Sequence, residues 1–206
     1  MISSIQARRP IQRIKLIPGA RGTIRPMKRD RDSILTWANL LTAIRLVIIP
    51  ICGLAIFEAA WGQALVLFTL AVITDLLDGA AARHFKQASP LGGVFDHATD
   101  ALLVTCTLGA CALTQLVPWP LVALIPAAFL QYTFDSRVLT GQNLRTSYLG
   151  RINGIAYYVL AGAVIVREAL DFTWLPLLLV SAFGWLLVVS TAMSMLDRWL
   201  AWRRLR

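Results

Sequence analysis

Long apolar blocks separated by brief polar punctuation set the pattern of this chain. Six stretches, 36–58, 62–83, 91–115, 119–139, 148–167 and 173–197, each approach the ~20 residues that a bilayer-crossing helix needs. Between them stand Trp61-Gly62, Ser89-Pro90, Pro118-Trp119-Pro120 and the polar run 140–147. The expected fold is therefore all-α, with six transmembrane helices. With no internal repeat and no low-complexity segment, one membrane domain is the simplest account.

Charge orients the six segments. If both termini are cytoplasmic, the inside loops hold Arg83, Lys86, Arg137, Arg145 and Arg151, and the outside loops hold only Arg167. That asymmetry follows the positive-inside rule and favours an even number of spans. Trp37, Trp61, Trp119, Trp174, Trp199 and Trp202 fall near segment ends, where an aromatic belt belongs.

Composition strengthens the membrane reading. Of 206 residues, 57% are hydrophobic and 15% charged, with a mean hydropathy of +0.65; soluble domains carry nearer a quarter charged residues. The net charge of +9 is concentrated at the ends. Residues 1–31 hold nine Lys or Arg, and Arg198, Arg203, Arg204 and Arg206 close the chain. No nucleic-acid recognition motif accompanies this charge, so it reads as juxtamembrane charge facing anionic headgroups.

Residues 1–35 read as a basic juxtamembrane arm, 36–200 as the membrane domain and 201–206 as a basic C-terminal tail. The arm interleaves isoleucines with Arg and Lys, which fits an interfacial segment as well as a mitochondrial presequence. Pro10, Pro18 and Pro26 argue against one long helix there. A bacterial plasma membrane is favoured over an organellar inner membrane. Cys52, Cys106 and Cys111 lie in apolar blocks without CxxC spacing and read as small packing residues.

Against this background the acids of residues 75–100 stand out. Asp75 and Asp78 are three apart and share a helix face, and Asp96 and Asp100, four apart, share another. The turn near Pro90 brings the chain back so that the two faces can meet. Converging carboxylates repel one another, and Arg83 offsets only part of that. Oxygen-only ligation by aspartates suits magnesium or manganese, and two such ions clamp a phosphoryl group. Gly79, Ala82, Gly92 and Gly93 allow close approach of helices or of a nucleotide. An ion-coupled membrane transporter also collects intramembrane acids and is the competing reading from another class.

The fixed spacing separates the two. Asp75-x2-Asp78-Gly79-x2-Ala82-Arg83-x8-Gly92-x3-Asp96-x3-Asp100 resembles the signature of the CDP-alcohol phosphotransferase family at every fixed position. The resemblance implies a homodimeric transferase of phospholipid biosynthesis that moves the phosphatidyl group of CDP-diacylglycerol to an alcohol and releases CMP. It implies that Asp75, Asp78 and Asp96 hold two Mg2+ ions (Mn2+ being an alternative), and that Asp100 completes the second metal's shell and acts as general base. Gly79, Arg83 and Ser89 would touch the CDP donor. Asn39 and Thr42, in Asn39-Leu-Leu-Thr42-Ala-Ile-Arg45, would lie beside the nucleotide, an N-cap role for Asn39 being the alternative. His84 and His97 occupy variable positions of the pattern and read as packing or hydrogen-bonding residues.

The acceptor end is less defined. Arg137, Arg145, Ser147 and Arg151 are placed to bind an acceptor, the arginines suiting one that carries phosphate, and positive-inside anchoring is the plain alternative. Ser147-x2-Gly150-Arg151-x-Asn153-Gly154 is similar to the Ser-x2-Gly-Lys-x-Lys-Thr segment of phosphatidylglycerophosphate synthases, but has Arg151 for the first Lys and departs at Asn153 and Gly154. Cardiolipin synthases of this family, whose acceptor is phosphatidylglycerol, have Lys-x-Asn-Thr in the same place, which Arg151-x-Asn153 resembles in part. Glycerol-3-phosphate is slightly favoured over that alternative.

Overall fold

The computed structural model describes residues 37–84, 90–135 and 148–204, and among them every regular element is an α-helix. Six helices follow in order: α1 (Trp37–Phe57), α2 (Trp61–His84), α3 (Pro90–Leu113), α4 (Trp119–Asp135), α5 (Tyr148–Ala169) and α6 (Leu177–Arg204). Their number and approximate limits agree with the apolar blocks. α6 runs through Trp199 to Arg204, so most of the expected tail at 201–206 continues the last helix. Pro90 opens α3, where its missing N–H costs nothing. Pro50 and Pro126 lie inside α1 and α4.

Two helices, over Tyr148–Ala169 and Leu177–Ala201, are long and apolar enough to cross a membrane by length and composition. Among the described residues, apolar stretches also run over Leu41–Phe57 in α1, Trp61–Leu77 in α2 and Trp119–Phe134 in α4.

α1 packs on α2 and α3, α5 on α2, α3 and α6, and α4 on α3 and α6. Each buried stripe follows helical spacing. On α1 it is Arg45, Ile49, Cys52 and Ile56; on α2, Ala64, Phe68 and Ala71; on α6, Val180, Leu187, Thr191 and Ser194. The stripes change from apolar to polar toward the starts of α1, α3 and α5 and toward the ends of α2 and α6. One end of the bundle therefore gathers polar side chains. Outward faces are apolar, with Val47, Leu76, Ile155, Leu178 and Leu186 exposed, as suits a lipid-facing surface.

At the other end, three helices close with the same cap. Ala59, Gln115 and Asp171 adopt positive φ of 57°, 60° and 51°. Behind them Ala60 N–H donates to Ala55 O, Leu116 N–H to Cys111 O and Phe172 N–H to Arg167 O. This is the Schellman pattern, which satisfies the last carbonyls and reverses the chain within a few residues.

Candidate active site

The acids of α2 and α3 meet at a cation from α1. Arg45 Nη1 lies 2.8 Å from Asp75 Oδ1, 3.2 Å from Asp100 Oδ1 and 3.5 Å from Asp96 Oδ1. Its side chain is fully buried, at 0% exposure, while the three carboxylates keep between 26% and 37%. Local sequence explains the convergence. Asp75 continues the buried face of α2 one turn beyond Ala71, and Asp96 and Asp100 precede Leu103 on α3. Arg45 sits one turn before Ile49 on α1, and Ile49, Ala71 and Leu103 pack together directly beneath the charged cluster. The apolar cluster thus sets the register of the polar one.

Tyr158 on α5 donates a 3.0 Å hydrogen bond to Asp100 Oδ1. That oxygen therefore has two donors, Tyr158 and Arg45, while Oδ2 lies 4.0 Å from His97 Nδ1. Ligating atoms of Asp96, His97 and Asp100 all lie within 4.8 Å of one another. Three carboxylates and one guanidinium leave these four groups with a surplus of two negative charges. A hard-oxygen donor set with that surplus suits a small divalent cation, so the residues present fit one.

Not every residue singled out in the sequence takes part in this described geometry. Asp78, Gly79 and Arg83 lie on the last turns of α2, and their side chains are outside the described set. Asn39 is the third residue of α1 and so sits inside the helix, not at its cap; its side chain too is outside that set. Thr42 is half-buried one turn before Arg45. Ser89, Arg137, Arg145 and Ser147 lie outside the described residues. Arg151 is on the first turn of α5.

Arg45 and Tyr158 belong to this cluster, and the motif does not announce them. Arg45 carries a signal nonetheless, as the one charged residue between 37 and 57. Tyr158 carries none, since an aromatic in an apolar helix is ordinarily core.

Beside the carboxylates is a cavity of about 840 Å³, walled by α2 to α6. Asp75, Asp100 and His97 line it together with apolar side chains such as Phe68, Val104 and Phe129, and so do Arg151 and Arg198. Arg198 stands 5.0 Å over the ring of Tyr132, and Gln131 Nε2 donates to Met195 O at 2.9 Å, tying α4 to α6. Amphiphilic walls of this kind suit a lipid-linked phosphate.

Residues 35–200 match the family model for CDP-alcohol phosphatidyltransferase. A probable CMP-forming cardiolipin synthase of Drosophila melanogaster is 30% identical over 163 residues, covering 68% of this chain and 50% of the fly protein. A putative cardiolipin synthase of Mycobacterium tuberculosis is 30% identical over 167 residues, covering 77% of each chain. A probable phosphatidylglycerophosphate synthase of the same organism is 35% identical over 101 residues, 46% of this chain and 48% of that one. The chain thus spans about half the length of the fly relative and about three quarters of the mycobacterial cardiolipin synthase.

Proposed function

The chain belongs to the CDP-alcohol phosphatidyltransferase family, and from that premise we propose that it is a membrane enzyme of phospholipid biosynthesis that transfers the phosphatidyl group of CDP-diacylglycerol to an alcohol, releasing CMP. The observation that carries this reading is the convergence of Asp75, Asp96 and Asp100 on one buried guanidinium at the edge of an amphiphilic cavity.

Asp75, Asp78 and Asp96 are the metal ligands in this reading, with Asp100 shared between metal binding and proton transfer. Two Mg2+ ions, when bound, supply positive charge against the donor diphosphate and the departing CMP. The acceptor hydroxyl gives its proton to Asp100, and its oxygen forms a bond to the phosphorus that carries the lipid alcohol. The bond from that phosphorus to the CMP oxygen breaks. Tyr158 and Arg45 hold Asp100 Oδ1, which leaves Oδ2 for the proton. Arg83 offsets the charge of the leaving nucleotide, and Gly79, Ser89, Asn39 and Thr42 shape the donor side. Arg137, Arg145, Ser147 and Arg151 form the acceptor side, and Arg198 joins them because it lines the same cavity as Arg151.

Six crossings with both termini cytoplasmic follow from the positive-inside pattern and from the alternation of polar helix ends. A homodimer in a bacterial plasma membrane completes the reading. The acceptor is glycerol-3-phosphate or phosphatidylglycerol. The second is favoured by the apolar share of the cavity wall and by the greater coverage of the mycobacterial cardiolipin synthase.

Purified protein in lipid nanodiscs, given CDP-diacylglycerol, Mg2+ and a panel of alcohols, is expected to release CMP with at least one of them. Absence of CMP with every alcohol, from protein that remains folded, would overturn the transferase reading.

A further inference from the structure

Between α5 and α6 runs a short ladder of polar contacts. Ser190 Oγ donates to Asn153 Oδ1 at 2.7 Å, the hydroxyls of Tyr157 and Thr191 lie 2.6 Å apart, and Thr191 Oγ1 donates to Leu187 O at 2.6 Å. The Tyr157 and Thr191 pair closes on itself. Asn153 does not. It is 3% exposed, its oxygen is taken by Ser190, and its Nδ2 is buried with no hydrogen-bond partner among the described residues. A buried amide donor without a partner is costly, and native folds keep few of them. Asn153 also lines the cavity that holds Asp100, Arg151 and Arg198.

Position along α5 orders these groups. Tyr158 touches Asp100; Asn153 lies five residues earlier, roughly 7–8 Å along the axis, and Arg151 roughly 10 Å. Arg151 shares the face of Tyr158 and Asn153 lies about 140° around the axis, so a ligand in the cavity that spans these groups has the carboxylate at one end, the cation at the other and the neutral donor on its flank. Charge matching assigns its parts: the reacting hydroxyl to Asp100, a phosphate to Arg151 and Arg198, and an uncharged oxygen between them to Asn153.

We propose that Asn153, pinned by Ser190, is a specificity-determining residue that donates from Nδ2 to the second, non-reacting hydroxyl of a glycerol-phosphate unit. This rests on the transferase reading and names the acceptor chemistry of the same cavity. Free glycerol-3-phosphate and the headgroup of phosphatidylglycerol share that unit. A site built to bond a hydroxyl rejects the analogue that lacks it, because its own buried donor is then left unpaired.

The test pairs each acceptor with its deoxy analogue: glycerol-3-phosphate with 3-hydroxypropyl phosphate, and phosphatidylglycerol with phosphatidylpropanediol. Full-length protein in nanodiscs is assayed for CMP release and, separately, for acceptor binding by calorimetry. The intact protein is expected to prefer the hydroxylated member of one pair by about 10- to 100-fold; which pair shows it identifies the source of the unit. Asn153→Ala is expected to reduce that preference to within about 2-fold while leaving the KM for CDP-diacylglycerol unchanged. Equal handling of both members of both pairs by the intact protein overturns the proposal, as does a folded Asn153→Ala that keeps the preference. If Asn153→Ala does not fold, Ser190→Ala, which frees the amide to rotate, must shrink the preference; a preference kept in full overturns the proposal. Selective binding with no CMP from any acceptor upholds the role of Asn153 and removes the transferase reading, so the two failures are distinguishable.

Discussion

At the residue scale, the site is a balance of charge around Arg45. Replacing Arg45 with Met leaves three neighbouring carboxylates without the guanidinium that joins them, and losing one partner of a buried charged set is costly. Arg45→Met is expected to destabilise the protein by about 3 kcal/mol in EDTA, seen as a lower thermal unfolding midpoint. On the two-metal reading, millimolar Mg2+ would bind the folded cluster and not the unfolded chain, so it should restore most of that loss. A midpoint that stays depressed in Mg2+ would argue against a divalent site at these acids. Asp100→Asn keeps the shape of the side chain and its contact with Tyr158 but removes the carboxylate to which the proposed reaction gives the proton. CMP release should fall by about 10³-fold or more with the helical signal unchanged. The convergence of Asp75, Asp96 and Asp100 was legible in the sequence because acids in an apolar chain need a reason, whereas the side chain of Asp78 lies outside the described residues. Arg45, Tyr158 and His97 were not legible as a set, since which helix lies beside which is decided by packing, and no spacing within one helix encodes it.

At the element scale, helix limits follow the apolar blocks, because polar punctuation between the blocks ends each run of residues that can pack as a helix. The caps were less visible: the three helices that end in left-handed residues do so without glycine. Ala59 at φ 57° carries the steric cost of that conformation with no side-chain hydrogen bond to offset it. Ala59→Gly should therefore stabilise the protein by about 0.5–1 kcal/mol, measured as a raised unfolding midpoint. Gly184 shows the opposite constraint. A Cβ there would fall 2.5 Å from Pro118 Cδ and 3.0 Å from Pro118 Cγ. The proline ring has little freedom to yield, so Gly184→Ala should cost about 1–3 kcal/mol and loosen α6 from the turn before α4. Neither effect is readable from sequence, where Gly184 is one small residue in an apolar run. α4 was legible only as a span; its part in the cavity wall arises from Phe129, Gln131 and Tyr132, whose residue types mark no chemistry.

At the scale of the whole molecule, the alternation of polar ends makes a stronger case for six crossings than hydropathy does. Among the described residues, α5 and α6 qualify as spans on length and apolarity, and α3 carries Asp96, His97 and Asp100 in its first half. On the six-span reading, a helix that brings ligands to a membrane-surface site gives up apolar residues there, which accounts for the acids in the first half of α3. If so, the three capped turns share one side of the membrane. Glu58, Gln115 and Thr173 are exposed in those turns, and Ala201 is exposed near the end of α6. Cys52 and Cys111 are fully buried, so replacing Cys106 with Ser leaves a quiet background for labelling. Single cysteines at Glu58, Gln115 and Thr173 should all react with an impermeant maleimide added outside intact cells, and one at Ala201 only after the membrane is opened. Labelling of Thr173→Cys from outside while Glu58→Cys stays protected would remove the six-span topology. It would also leave α1 to α3, and the carboxylates they carry, facing a different compartment from the one proposed.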